Sequence, residues 1–474
     1  CTTVVDSPHL VLNFDVNNTI LVSDSATGAD TRGLLAMVLA NSSWGQIEHD
    51  ERGNPSRWVQ KWPDISPIAP ELGLSTYTSF VALWLPIAKD WPEEQRMMRL
   101  AQRREMLRAF TDPGQPGEVF WPKLEQLQAA LKLPEALRGS ETAQAAGLTG
   151  DSVKLLPSFM HMVRELKRAG RSFTIMFRTF GDDLPHIKQE FNALCEGWHP
   201  LFPADDKVVL DGSDGQPDYR MCLDSVDSCG TFFRNPPDGD LIALAMGTTV
   251  VPAKMEEGVA FFKHLPGVQL HSGIEAVARK YAALATERRT LALRDYYNGW
   301  AATECTSQGG KPFFPGPLND PKRHCIFIDD HITTGDPKIV DPIDWHHWPR
   351  RFGIGQLFGS HLVQAQPLES IIQREYFIQL LRDCETKRHA KSQSWTQAQR
   401  LLGDLQVIQA LLKTLVDPSS LKSDKYANCL SCHYTPWRRT KAAMLHPSEP
   451  TFDDEETYNC VSLISDIDMS VCRS

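Results

Sequence analysis

The chain has 474 residues, with 49 basic and 59 acidic side chains and a formal net charge of -10. Apolar residues make up 42% and charged residues 23%, which excludes a wholly disordered chain, a collagen-like fibre and a small disulfide scaffold. No apolar run reaches the roughly 18 residues of a membrane span, and an acidic chain without a basic stripe is a poor nucleic-acid binder.

At roughly 150 residues per domain, the length predicts about three structural units. The 11 scattered cysteines suit reduced thiols better than a disulfide framework. No basic region followed by an apolar stretch is visible, and the scattered thiols give the expectation of a cytoplasmic location.

The first strong element is Leu10-Val11-Leu12-Asn13-Phe14-Asp15, an apolar run ending in an acid, which predicts a buried strand. Residues 25–149 form a long insertion with Pro- and Trp-rich stretches. It is predicted to be largely helical, with one helix capped by Asp90 and running to about Phe110, and a second over about Lys123 to Leu133. Gly139 to Gly150 is small and polar and predicts a linker. A helix over Leu155 to Leu166 should end at Gly170, followed by a strand at Phe173–Phe177 that leads into Arg178-Thr179-Phe180-Gly181. Asp183 and Pro185 then open another helix.

Further strands are predicted at 207–210, 219–223 and 240–244, followed by one helix of about 30 residues from near Gly273 to near Ala302. Gly309 to Pro312 predicts a turn, and Cys325–Ile328 a buried strand ending in Asp329-Asp330. Helices follow over Leu368 to Asp383 and Thr396 to Leu415. The polar tail carries Cys429, Cys432 and His433, whose default reading is free thiols rather than a haem or metal site. In Trp345-His346-His347-Trp348, packing and surface roles are expected.

Asp15, Thr179 and Asp330 at neighbouring carboxyl ends of a parallel sheet, with Lys311, would gather carboxylates, a hydroxyl and an ammonium at one place. Such a set suits phosphoryl transfer. Asp15 can attack phosphorus. A hard cation can offset the repulsion between Asp15 and Asp330. Thr179 can donate to a phosphoryl oxygen, and Lys311 can balance charge. The Gly181-to-Pro185 turn offers free N–H groups to the same anion. Arg178 can meet a substrate anion or pair with a nearby carboxylate.

These segments resemble the four motifs of the haloacid dehalogenase superfamily. Phe14 to Ile20 is similar to its first motif, Thr179 to its second, Lys311-Pro312 to its third, and Ile326 to Asp330 to its fourth. The resemblance implies a Rossmann-like, doubly wound parallel sheet formed by residues 1–24 and 150–389. A cap would occupy 25–149, and a C-terminal helical and flexible extension 390–474. It implies Mg²⁺ held by Asp15, the Asn17 backbone carbonyl, Asp329 and Asp330. Arg178 and Gly181, by their place at the end of the strand, are expected near the substrate, and a cap of this size suits a small phosphorylated molecule.

One position departs from the family pattern. Asn17 stands where the phosphatases have an Asp that serves as general acid and base. Lys322 and Lys254 compete with Lys311 for the third motif. The expected activity is Mg²⁺-dependent hydrolysis of a phosphate ester through an aspartyl-phosphate. The alternative is a catalytically degenerate binding module on the same fold.

Overall fold

The computed structural model describes residues 7–22 and 31–393 together with Leu405, with positions 89, 203, 238, 239, 288, 348 and 349 set aside. The chain divides into two compact units, residues 1–388 with 458–474 and residues 389–457. The sheets, the insertion and the candidate site all belong to the first unit. The predicted helix Thr396 to Leu415 and the Cys429-to-His433 motif lie outside the described residues, apart from Leu405.

In chain order the strands are β1 (His9–Asp15), β2 (Ser43–His49), β3 (Pro55–Ile65), β4 (Ser75–Thr76), β5 (Phe173–Thr179), β6 (Cys229–Asn235), β7 (Leu241–Met246), β8 (Gln269–Ser272), β9 (Thr290–Asp295), β10 (Lys311–Phe313), β11 (Arg323–Asp329), β12 (Val340–Pro342) and β13 (Leu362–Gln364). Eight of them form one sheet in the order β13-β11-β1-β5-β9-β6-β7-β8. Every pairing from β13 to β6 is parallel, and β7 and β8 join antiparallel. The protein is therefore α/β, with a mainly parallel mixed sheet.

Successive side chains of a strand point to opposite faces, and the core follows that rule. Leu10, Leu12, Phe14, Ile175, Phe177, Ile326 and Ile328 enter one hydrophobic cluster. Val11, Met176, Phe327, Leu291 and Leu293 enter another. Helices cover both. Pro157–Arg168 and Leu184–Cys195 bury Phe159, Val163, Ile187 and Phe191 in the first cluster. Ile274–Glu287 buries Val277, Tyr281 and Leu284 in the second. Each fully buried side chain of this size contributes about 1.5–3 kcal/mol of transfer free energy. With both faces covered, a strand is apolar throughout rather than alternating.

The long predicted helix over 273–302 is corrected. It is a helix at Ile274–Glu287, then strand β9, then a short helix at Tyr297–Ala301. Strands β6 and β8 were also not predicted. Residues 207–210 and 219–223 form no strand; Tyr219 N–H donates to Leu210 O at 2.7 Å, next to an isolated bridge between Asp211 and Asp218. The 240–244 strand is present as β7. The Gly309-to-Pro312 turn is a 3-10 turn at Ser307–Gly309 leading into β10, which pairs with β12. The helix expected over 368–383 is two: Pro367–Ile372, then 376–393 after a break.

Within the insertion, helices Thr31–Ser42, Tyr77–Trp84, Glu93–Arg108 and Trp121–Leu131 are joined by a three-stranded antiparallel sheet, β3-β2-β4. "Largely helical" is thus incomplete. Of the Trp- and Pro-rich stretch 62–70, residues 62–65 lie on β3, an edge strand, where Pro63 interrupts no inner ladder, and 66–70 follow it. The N-cap of Glu93–Arg108 is Pro92, not Asp90. The expected linker holds a short helix, Glu141–Ala145, capped by the Ser140 hydroxyl, which accepts from Ala143 N–H at 3.1 Å. Trp58, Tyr77 and Phe110 pack ring against ring, 5.5 Å and 4.7 Å between centroids, in the same cluster as Phe14 and Ile328. Trp345–His347 is a 3-10 turn in which His347 Nδ1 lies 2.9 Å from Asp344 Oδ2. No helix among the described residues is long and apolar enough to cross a membrane. Cys195, Cys222, Cys229, Cys325 and Cys384 are free thiols.

Candidate functional site

The site is built where β11, β1 and β5 end side by side. Register pairs Asp15 with Arg178 and Phe14 with Ile328, so Asp15, Thr179 and Asp329 all lie at carboxyl ends. After Asp15 the chain turns tightly. Ile20 and Leu21 N–H groups both donate to Val16 O, at 3.1 Å and 3.0 Å. Asn18 adopts φ 57°, a conformation Asn tolerates better than most side chains.

Lys311 reaches the same point from β10. Its Nζ donates to Asp15 Oδ1, and to Asp329 Oδ2 at 3.0 Å, and it is 1% exposed. The Phe180 ring lies 5.2 Å from the ammonium. Of the three lysines left open by the sequence, Lys311 makes these contacts. Lys322 lies just ahead of β11, its carbonyl accepting from His9 N–H at the opposite end of the sheet, and Lys254 is exposed.

The acids are crowded. Burial, together with repulsion from Asp329 and Asp330, pushes the Asp15 carboxyl up to about 8, although Lys311 opposes the shift. Burial also works against ionised Asp329, but Lys311 and His331 outweigh it and hold that carboxyl well below the usual range. Burial disfavours the charged form of Lys311, yet Asp15 and Asp329 hold its pKa above the ordinary lysine value. Asp330 lies beside His331, whose Nδ1 is 2.9 Å from Asp330 Oδ1 and 3.4 Å from Asp329 Oδ1. Burial opposes the imidazolium, but the two acids raise its pKa well above the usual range. Asp329, Asp330 and His331 can each offer a ligand atom within 4.8 Å of the others. The Lys311 ammonium and the His331 imidazolium both lean on Asp329, and Asp15 stays short of positive charge. The carboxylate oxygens of Asp15, Asp329 and Asp330 fit a hard divalent cation.

Thr179, on β5, donates from Oγ1 to Asp183 Oδ2 at 3.1 Å and accepts from Gly181 N–H at 2.9 Å. Asn17 Nδ2 donates to the same Asp183 oxygen at 2.9 Å. Asp183 therefore belongs to the site, although its sequence signal was only that of a residue opening a helix.

Arg178 lies beneath. Its guanidinium holds Asp295 in a two-pronged pair, 3.0 Å from Nε and 2.6 Å from NH2. NH1 donates to Pro312 O at 3.0 Å and Asn13 Oδ1 at 3.3 Å. The side chain is fully buried, against the Phe232 and Phe327 rings. Of its two expected roles, pairing with a carboxylate is the one observed. Through Pro312 it fixes the strand that carries Lys311. Asp295 carries no sequence signal of its own, because β9 reads as a continuation of the helix before it. Asn13 is legible in the sequence only as a polar break in an apolar strand.

Compared with known proteins, the chain matches no family model, no curated protein and no solved structure.

Proposed function

We propose that the chain is a Mg²⁺-dependent phosphate-ester hydrolase with a Rossmann-like core of the haloacid dehalogenase type. It acts through an aspartyl-phosphate on a small molecule. The observation that carries this reading is the Lys311 ammonium held between the Asp15 and Asp329 carboxylates at the ends of neighbouring parallel strands.

Asp15 is the nucleophile. Lys311 balances charge on Asp15 and on the phosphoryl oxygens, and Thr179, turning its one hydroxyl proton from Asp183 to the substrate, donates to one of those oxygens. The Gly181 turn borders the substrate. Asp15, Asp329, Asp330 and the Asn17 backbone carbonyl would hold Mg²⁺, which when bound offsets anionic repulsion and stabilises developing negative charge. An insertion as long as 25–149, acting as a cap, would shield the site from bulk water and so suits a small substrate.

A second reading is a binding module that has lost turnover, and Asn17 is the observation that favours it. Phosphate release from p-nitrophenyl phosphate, with and without Mg²⁺, separates the two. Mg²⁺-dependent release that Asp15→Asn abolishes supports the hydrolase. No release by the wild type supports the binding module.

A further inference from the structure

Asn17 leaves the proposed hydrolase without a carboxyl group where the leaving group would take its proton. The same corner nevertheless holds a carboxylate. Asp183 is 2% exposed, and one oxygen, Oδ2, accepts from both Asn17 Nδ2 at 2.9 Å and Thr179 Oγ1 at 3.1 Å. It is tied to the side chain that replaces the missing acid and to the hydroxyl assigned to the phosphoryl group.

The ordinary reason for an Asp at this place is to cap the helix on its C-terminal side. Asp183 does precede Leu184–Cys195, but its side chain makes no cap hydrogen bond. It turns toward Asn17 and Thr179 instead. Gly181 leaves it room: a Cβ there would lie 2.5 Å from Asp183 Oδ2. Any other residue at 181 would displace the carboxylate.

We propose that Asp183 is the general acid and base of this site, and that Asn17 is its orienting donor rather than a lost catalyst. The inference rests on the phosphate-ester reading. In the first step an Asp15 oxygen bonds to phosphorus and the bond from phosphorus to the leaving oxygen breaks. That oxygen takes the proton of the Asp183 carboxyl, which becomes a carboxylate. In the second step a water oxygen bonds to phosphorus and its proton passes to Asp183. The bond from phosphorus to Asp15 breaks, releasing inorganic phosphate and restoring both side chains. An Asp at 17 would set two carboxylates face to face, whereas the Asn amide donates.

The test measures turnover of ethyl phosphate, a poor leaving group, and p-nitrophenyl phosphate, a good one, both with Mg²⁺. Asp183→Asn should lower ethyl phosphate turnover by about 10²–10⁴-fold. It should cost the aryl ester less and let acid-stable phospho-enzyme accumulate from it. Asn17→Asp alone should give no gain. The reciprocal swap, Asn17→Asp with Asp183→Asn, should recover at least about tenfold over Asp183→Asn, because the carboxyl and amide have only exchanged places.

If Asp183→Asn fails to fold, Gly181→Ala, which moves the same carboxylate, should show the same leaving-group signature. Wild-type turnover of ethyl phosphate in the variant would overturn the proposal. So would an equal loss on both esters with no phospho-enzyme. A wild type that hydrolyses neither ester overturns the phosphate-ester reading and this inference with it. An active wild type with an indifferent Asp183→Asn overturns this inference alone.

Discussion

Asp15 carries both chemical and thermodynamic weight. Its carboxyl sits near 8 in the folded protein, against about 3.9 in an unfolded chain. The folded state then binds the proton more tightly between those values. Stability from this group is present at low pH and is lost as pH rises from about 4 toward 8. In metal-free protein, Asp15→Asn should flatten that decline in Tm. Mg²⁺ favours the ionised carboxylate, so the Tm increase on adding Mg²⁺ should grow over the same range and vanish in Asp330→Ala. Equal Mg²⁺ stabilisation of wild type and Asp330→Ala would mean the ion sits elsewhere. The Arg178–Asp295 pair makes a different prediction. Arg178→Ala strands a buried carboxylate and should cost about 3–5 kcal/mol in urea unfolding. Replacing both residues with apolar side chains of similar volume should cost far less, because no charge is left uncompensated. Similar losses in the two variants would contradict this account.

At the scale of elements, Lys311 depends on how β10 meets its neighbour. A Cβ at Gly310 would lie 2.2 Å from Ile339 O and 2.6 Å from the Ile339 carbonyl carbon, both backbone atoms. Gly310→Ala should therefore push β10 from β12 and displace the ammonium. The expected cost is about 1–3 kcal/mol in stability, with a larger loss of Mg²⁺-dependent phosphate release. Unchanged activity would show that Lys311 is held by other means. The elements that carry Asp15, Thr179 and Asp329 were legible because each is a short apolar run ending in a polar residue. Strand β9 was not. Its sequence, Thr-Leu-Ala-Leu-Arg-Asp, has few β-branched residues and comes after an Ala-rich helix with no Gly or Pro between them. Helical periodicity runs on through it, and only its place in the sheet makes it a strand. Strand β6 hid behind Gly230, which is there for close approach: a Cβ would meet Met246 Sδ at 2.8 Å.

On the scale of the whole molecule, sequence order and spatial order diverge, and this divergence assembles the site. Strands far apart in the chain, β11, β1 and β5, stand side by side, and the insertion after β1 shares a hydrophobic cluster with one face of their sheet. Motif residues could be read one at a time. The convergence of Asp183 on Asn17 and of Asp295 on Arg178 depends on tertiary contact, which no local pattern encodes. The central claim is that Asp15 becomes phosphorylated, and the most direct measurement is the mass of the Asp15-bearing peptide. Protein mixed with p-nitrophenyl phosphate and Mg²⁺ and quenched in acid should carry one added phosphoryl group on that peptide, and the Asp15→Asn variant none. Phosphate release by the wild type with no label at Asp15, or with the label on another side chain, would contradict the account.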